Sequence, residues 1–76
     1  MYKYLTFKER VTTPGIGTYI SYGIKCLKIT RHSVYCIISV SDVSTKPELV
    51  KDIVKRCNRG KLSPIHLLDV IEDSIP

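Results

Sequence analysis

The chain has 76 residues, twelve Lys and Arg against seven Asp and Glu, and a formal net charge of +5. That length gives one domain without room for a second core, and stability at this size is marginal. No apolar run approaches the roughly 20 residues that span a bilayer, and the opening Met1-Tyr2-Lys3-Tyr4-Leu5-Thr6-Phe7 lacks the apolar block of a signal peptide.

Residues 2–11 alternate as a strand does, with Leu5, Phe7 and Val11 on one face and Tyr2, Tyr4, Thr6, Lys8 and Arg10 on the other. The apolar set is expected to face the core. Thr13-Pro14-Gly15-Ile16 reads as a turn, with Pro presetting one central position and Gly accepting positive φ at the next. Residues 18–29 form a second strand, with Ile20, Tyr22, Ile24 and Cys26 on one side. Gly23 marks a bulge or a close backbone approach. The third strand covers about 33–41, where Val34, Cys36, Ile38 and Val40 share a side. A three-residue loop at Thr30-Arg31-His32 then sets Cys26 opposite Cys36 and Ile24 opposite Ile38.

Thr45-Lys46-Pro47-Glu48 has the form of a capping box. Leu49, Val50, Ile53, Val54 and Cys57 follow at helical spacing, and Gly60 ends that helix. Ser63-Pro64 opens a second helix, with Ile65, Leu67, Leu68 and Ile71 as its apolar side. The expected class is α+β: a three-stranded antiparallel meander followed by two helices packed on one face, in the order βββαα.

The run Ile38-Ser39-Val40-Ser41-Asp42-Val43-Ser44-Thr45, the first helix, and Leu62-Ser63-Pro64-Ile65-His66-Leu67-Leu68-Asp69-Val70-Ile71-Glu72-Asp73 resemble a family of small bacterial proteins of unknown function. The likeness covers roughly the C-terminal half, with an echo at Tyr22-Gly23-Ile24. It implies a bacterial cytoplasmic protein and brings no activity, ligand or catalytic residue.

Cys26, Cys36 and Cys57 are odd in number and form no C-x-x-C pair, which suits a reducing compartment and argues against structural zinc. No phosphate-binding Gly loop or nucleophile motif is present, so no cofactor, metal or catalytic residue is assigned. Charge is divided along the chain. Residues 1–62 hold twelve Lys/Arg against four acids, a balance of +8, whereas residues 63–76 hold three acids and no Lys/Arg, −3. His66, Asp69 and Asp73 line one side of the last helix with Glu72 beside them. Such a face is ordinarily solvated, yet acids at a helix C-terminus oppose the macrodipole. Arg56, Arg59 and Lys61, or a basic partner, would relieve that.

Two interaction surfaces follow. Tyr2, Tyr4, Tyr19 and Tyr35, with Leu27 and Ile37 among them, are expected on the uncovered sheet face. Of these, Tyr4, Leu27, Tyr35 and Ile37 are the candidates for contact with a second copy or another protein, together with the His66, Asp69, Glu72 and Asp73 face. The alternative is nucleic acid, held by Lys25, Lys28 and Arg31 at one hairpin end and by Arg56 and Arg59 at the first helix's end. The preferred reading is a non-enzymatic interaction domain that forms a homodimer or binds an unidentified protein.

Overall fold

A computed structural model of the chain describes residues 1–75. Strands β1 (Tyr2–Thr13), β2 (Gly17–Ile29) and β3 (Val34–Ser44) form one antiparallel sheet in the order β1-β2-β3. Helix α1 (Pro47–Arg59), a 3₁₀ turn (Pro64–His66) and helix α2 (Leu67–Ser74) follow. The expected α+β class and βββαα order are present, and the helices pack on the sheet. At about 3.4 Å per residue, the thirteen residues of β2 span roughly 44 Å. That matches the molecule's long axis of 45 Å.

The core is the seam between sheet and helices. Tyr4, Ile24 and Cys26 from the sheet meet Val50, Ile53, Val54 and Cys57 of α1 and Leu67 and Ile71 of α2. The α1 stripe is the one its spacing predicts. On α2, however, Ile65 and Leu68 are exposed, Ile65 at 81%. The Ser63-Pro64 start yields a 3₁₀ turn, so α2 begins only at Leu67 and has eight residues. Two turns are enough to bury Leu67 and Ile71 and little else.

Strand β1 has the opposite phase from the expected one. Tyr4 is 1% exposed and pairs with Cys26 on the helix side. By the same register Leu5, Phe7 and Val11 lie on the face away from the helices. Both faces of β1 carry large side chains, so period two could not name the inner one. Gly23 helps to decide it. A Cβ there would overlap the Phe7 ring and come within 2.5 Å of the Val40 carbonyl oxygen. Only glycine lets Phe7 lie across the sheet at that point while β3 approaches so closely.

Strand β3 departs from its expected register. Cys26 pairs with Ile38 and Ile24 with Val40. The loop is Thr30–Ser33, closed by the Thr30 N–H donating to the Ser33 carbonyl at 2.8 Å. An irregularity between Cys26 and Leu27 leaves Ile37 as the extra residue, so Leu27 pairs with Cys36 and Lys28 with Tyr35. This bulge inverts the alternation. Ile38 and Val40 face the helices, but Val34 and Cys36 fall on the other side and are exposed.

The helix ends also differ from expectation. Lys46, not Thr45, is the N-cap of α1 and makes no side-chain cap bond. The Ser44 hydroxyl accepts from the Lys46 N–H at 3.1 Å instead. Gly60 is the C-cap but stays right-handed at φ −84°. The left-handed position falls to Lys61 at φ 50°.

Candidate functional site

Tyr4, expected on the uncovered sheet face, is instead 1% exposed and lies in the core. Tyr4 is removed from the proposed partner surface. Its hydroxyl donates to the Leu62 carbonyl at 2.7 Å, which fastens the α1–α2 linker to the sheet. Its backbone faces the free edge of β1. There the Tyr4 N–H donates to Asn58 Oδ1 at 2.8 Å, and Asn58 Nδ2 donates to the Tyr4 carbonyl at 2.9 Å. One amide side chain thus stands in for a neighbouring strand and caps that edge. Burial, with Cys26 and Cys57 nearby, raises the Tyr4 phenol well above its ordinary value and keeps it neutral. Sequence reasoning missed Asn58. Its position two residues before Gly60 was legible only as a helix end.

Three remaining partner candidates, Leu27, Tyr35 and Ile37, cluster about the first half of β3 but do not share one face. Tyr35 pairs with Lys28 and so falls on the helix side by register, while Leu27 lies on the other side. Tyr35 and Ile37 are 46% and 40% exposed, and Val34 beside them is 59% exposed. Leu27 is half-buried and Cys36 is exposed. What the residues share is the strand. Val34, Tyr35, Cys36 and Ile37 form an unbroken apolar run on β3, one of the two outer strands of the sheet.

The second half of β3 is finished differently. Three residues, Ser41 to Val43, stand opposite Gly23 alone, and Asp42 takes φ 53°. Glu9 of β1 holds this arch. It accepts from the Ser41 hydroxyl at 2.7 and 2.8 Å and from the Asp42 N–H at 2.7 Å. The Asp42 carboxylate accepts from the Ser21 hydroxyl at 2.5 Å and the Tyr19 hydroxyl at 2.7 Å. Those bonds, Ser21 first, hold Asp42 below the usual carboxylate range. The bond to Asp42 raises the Tyr19 phenol. The hydroxyls of Tyr19, Ser21 and Ser41 and the carboxylates of Glu9 and Asp42 all have structural partners, and the arch ties the three strands together.

His66, Asp69, Glu72 and Asp73 are all exposed. The relief expected from Arg56 is absent, since Arg56 pairs with Asp52 at 3.2 Å and donates to the Ser74 hydroxyl at 2.9 Å. Among the described residues no group of three or more His, Cys, Asp and Glu is placed to hold a metal ion. The nucleic-acid candidates are divided. Lys25 and Lys28 lie on opposite faces by register, Arg31 is in the hairpin loop, and Arg56 and Arg59 are exposed on α1. An open groove of about 690 Å³ lies between the start of β1 and the end of α1, lined by Met1, Tyr2, Lys3, Asn58 and Lys61.

Cys26 and Cys57 are buried free thiols, each raised by that burial, and Cys36 is an exposed one. No helix among the described residues is long and apolar enough to cross a membrane. No curated protein and no solved structure matches the chain. A family model described as "Family of unknown function (DUF6514)" matches residues 1–76, so the chain belongs to that family.

Proposed function

We propose that the protein is a non-enzymatic interaction domain that self-associates through the first half of β3. The observation that supports this is the exposed apolar run Val34, Tyr35, Cys36 and Ile37, with half-buried Leu27 beside it. Isolated exposed apolar residues need no explanation, but a contiguous group on an outer strand is a recognised interaction feature. A domain this small also gains most from a partner that enlarges its buried surface. The acidic face at His66, Asp69, Glu72 and Asp73 is then a solvated face. The two buried free thiols and the exposed third fit a reducing, cytoplasmic setting. Bacterial origin rests on the resemblance carried by Leu62–Asp73.

The test is molar mass by sedimentation over a range of concentrations, followed by Ile37→Asp. The wild type should be dimeric at high micromolar concentration, and the variant should be folded and monomeric. A wild type that stays monomeric at that concentration removes the reading.

A further inference from the structure

We infer that the outer edge of β3 over residues 34–40 pairs antiparallel with the same segment of a second copy, joining two three-stranded sheets into one of six. This rests on the self-association reading and specifies its geometry.

The outer edges of the sheet are not equally open. β1 is capped at Tyr4 by the Asn58 amide and carries Lys3, Lys8 and Arg10 along its length. Capping and edge charges are established ways to keep a strand from pairing outward. The second half of β3 is bent into the Ser41–Val43 arch and held by Glu9. Among the described residues, the first half of β3 is the edge segment that is neither capped, charged nor clasped. Residues 33–41, Ser-Val-Tyr-Cys-Ile-Ile-Ser-Val-Ser, contain no Lys, Arg, Asp or Glu. They are rich in β-branched and aromatic residues, which favour strand pairing.

Charge and closure select the occupant. Two copies at net charge +5 repel, and a β1–β1 contact would oppose Lys8 and Arg10 to their counterparts. A β3–β3 contact opposes no charge to another. A β3–β1 contact is head-to-tail and gives a ring or a filament rather than a closed pair, and Asn58 blocks it at Tyr4. The β3–β3 pairing closes on itself about a twofold axis perpendicular to the sheet. Both helical layers then stay on one side. A seven-residue edge is roughly 24 Å long, and strand pairing alone falls below the roughly 800 Å² per partner of a standard interface. The dimer is therefore of the weak class, which sets the concentrations needed.

The experiment is solution NMR of the wild-type chain. Amide exchange is measured at low and at high micromolar concentration, with isotope-filtered contacts recorded on a mixture of labelled and unlabelled protein. Outward-facing amides within 34–40 should slow at least tenfold at the higher concentration, and backbone contacts should join β3 of one copy to β3 of the other. A dimer without those contacts overturns the edge pairing and leaves self-association standing. A monomer at both concentrations overturns both. Ser39→Lys, an exposed substitution, should weaken the dimer at least tenfold. An unchanged dissociation constant counts against the pairing.

Discussion

Replacing Asn58 by Ala tests the contact that fastens the end of α1 to the edge of β1. The substitution removes two hydrogen bonds to the Tyr4 backbone, of 2.8 and 2.9 Å. Intramolecular hydrogen bonds are worth about 0.5–1.5 kcal/mol each in net stability, so the gross loss is about 1–3 kcal/mol. Asn58 is partly open to solvent, and water can reach the freed groups. The lower half of that range, about 1–2 kcal/mol, is therefore expected. For a chain of this length each kcal/mol moves Tm by about 4–8 °C, so the melt should fall by about 4–16 °C. Thermal and urea unfolding followed by far-UV circular dichroism measures it. Asn58→Asp sharpens the test. Ionised, Asp keeps the acceptor for the Tyr4 N–H but sets a carboxylate against the Tyr4 carbonyl, so it should rescue nothing at neutral pH. Protonated, below about pH 4, it regains a donor and mimics the amide. The gap between this variant and the wild type should narrow there. A neutral-pH loss below about 0.3 kcal/mol for Asn58→Ala, or a gap that widens in acid, would refute the bridging role.

Tyr4→Phe removes the bond to the Leu62 carbonyl and should destabilise by about 0.5–1.5 kcal/mol at neutral pH, read by urea unfolding. The folded phenol's pKa lies above its unfolded value, so its contribution is complete below about pH 10 and is lost as pH rises through the folded value. Tyr4→Phe should therefore extend stability further into alkali than wild type, relative to each protein's neutral-pH value. Asp42 runs the other way: its folded pKa is depressed, so its contribution is present above about pH 4 and is lost as pH falls through the folded value. Asp42→Asn should flatten the acid limb of the stability profile; an unchanged limb argues against the arch as an acid-sensitive clasp. Gly23→Ala should destabilise by about 1–3 kcal/mol, and trimming Phe7 to Leu should not restore it, because the Val40 carbonyl is the second obstruction.

The order βββαα, the turn at Pro14-Gly15, the α1 stripe and the special status of Gly23 were all legible in the chain. Each rests on a local rule: a period, a turn residue's dihedral preference, or a missing side chain. The faces of β1 and β3 were not legible, and the reasons differ. On β1, Tyr4 and Phe7 are both large enough for a core. The choice fell to groups some forty-five to sixty residues away: the buried stripe of α1, and the Leu62 carbonyl, which the Tyr4 hydroxyl reaches with the ring on the helix side. On β3, the extra residue Ile37 reverses the alternation, and nothing in Cys36-Ile37-Ile38 announces a bulge. For the site, the sequence by itself determined which residues are apolar, charged or rich in β propensity. It supplied Tyr35, Ile37 and Leu27 but set them on a common face with Tyr4. Tertiary structure decided that Tyr4 is core, that Lys25 and Lys28 lie back to back, and that the surviving candidates share a strand. Burial and edge exposure belong to the assembled sheet, and a strand's pattern cannot say which neighbours will cover it.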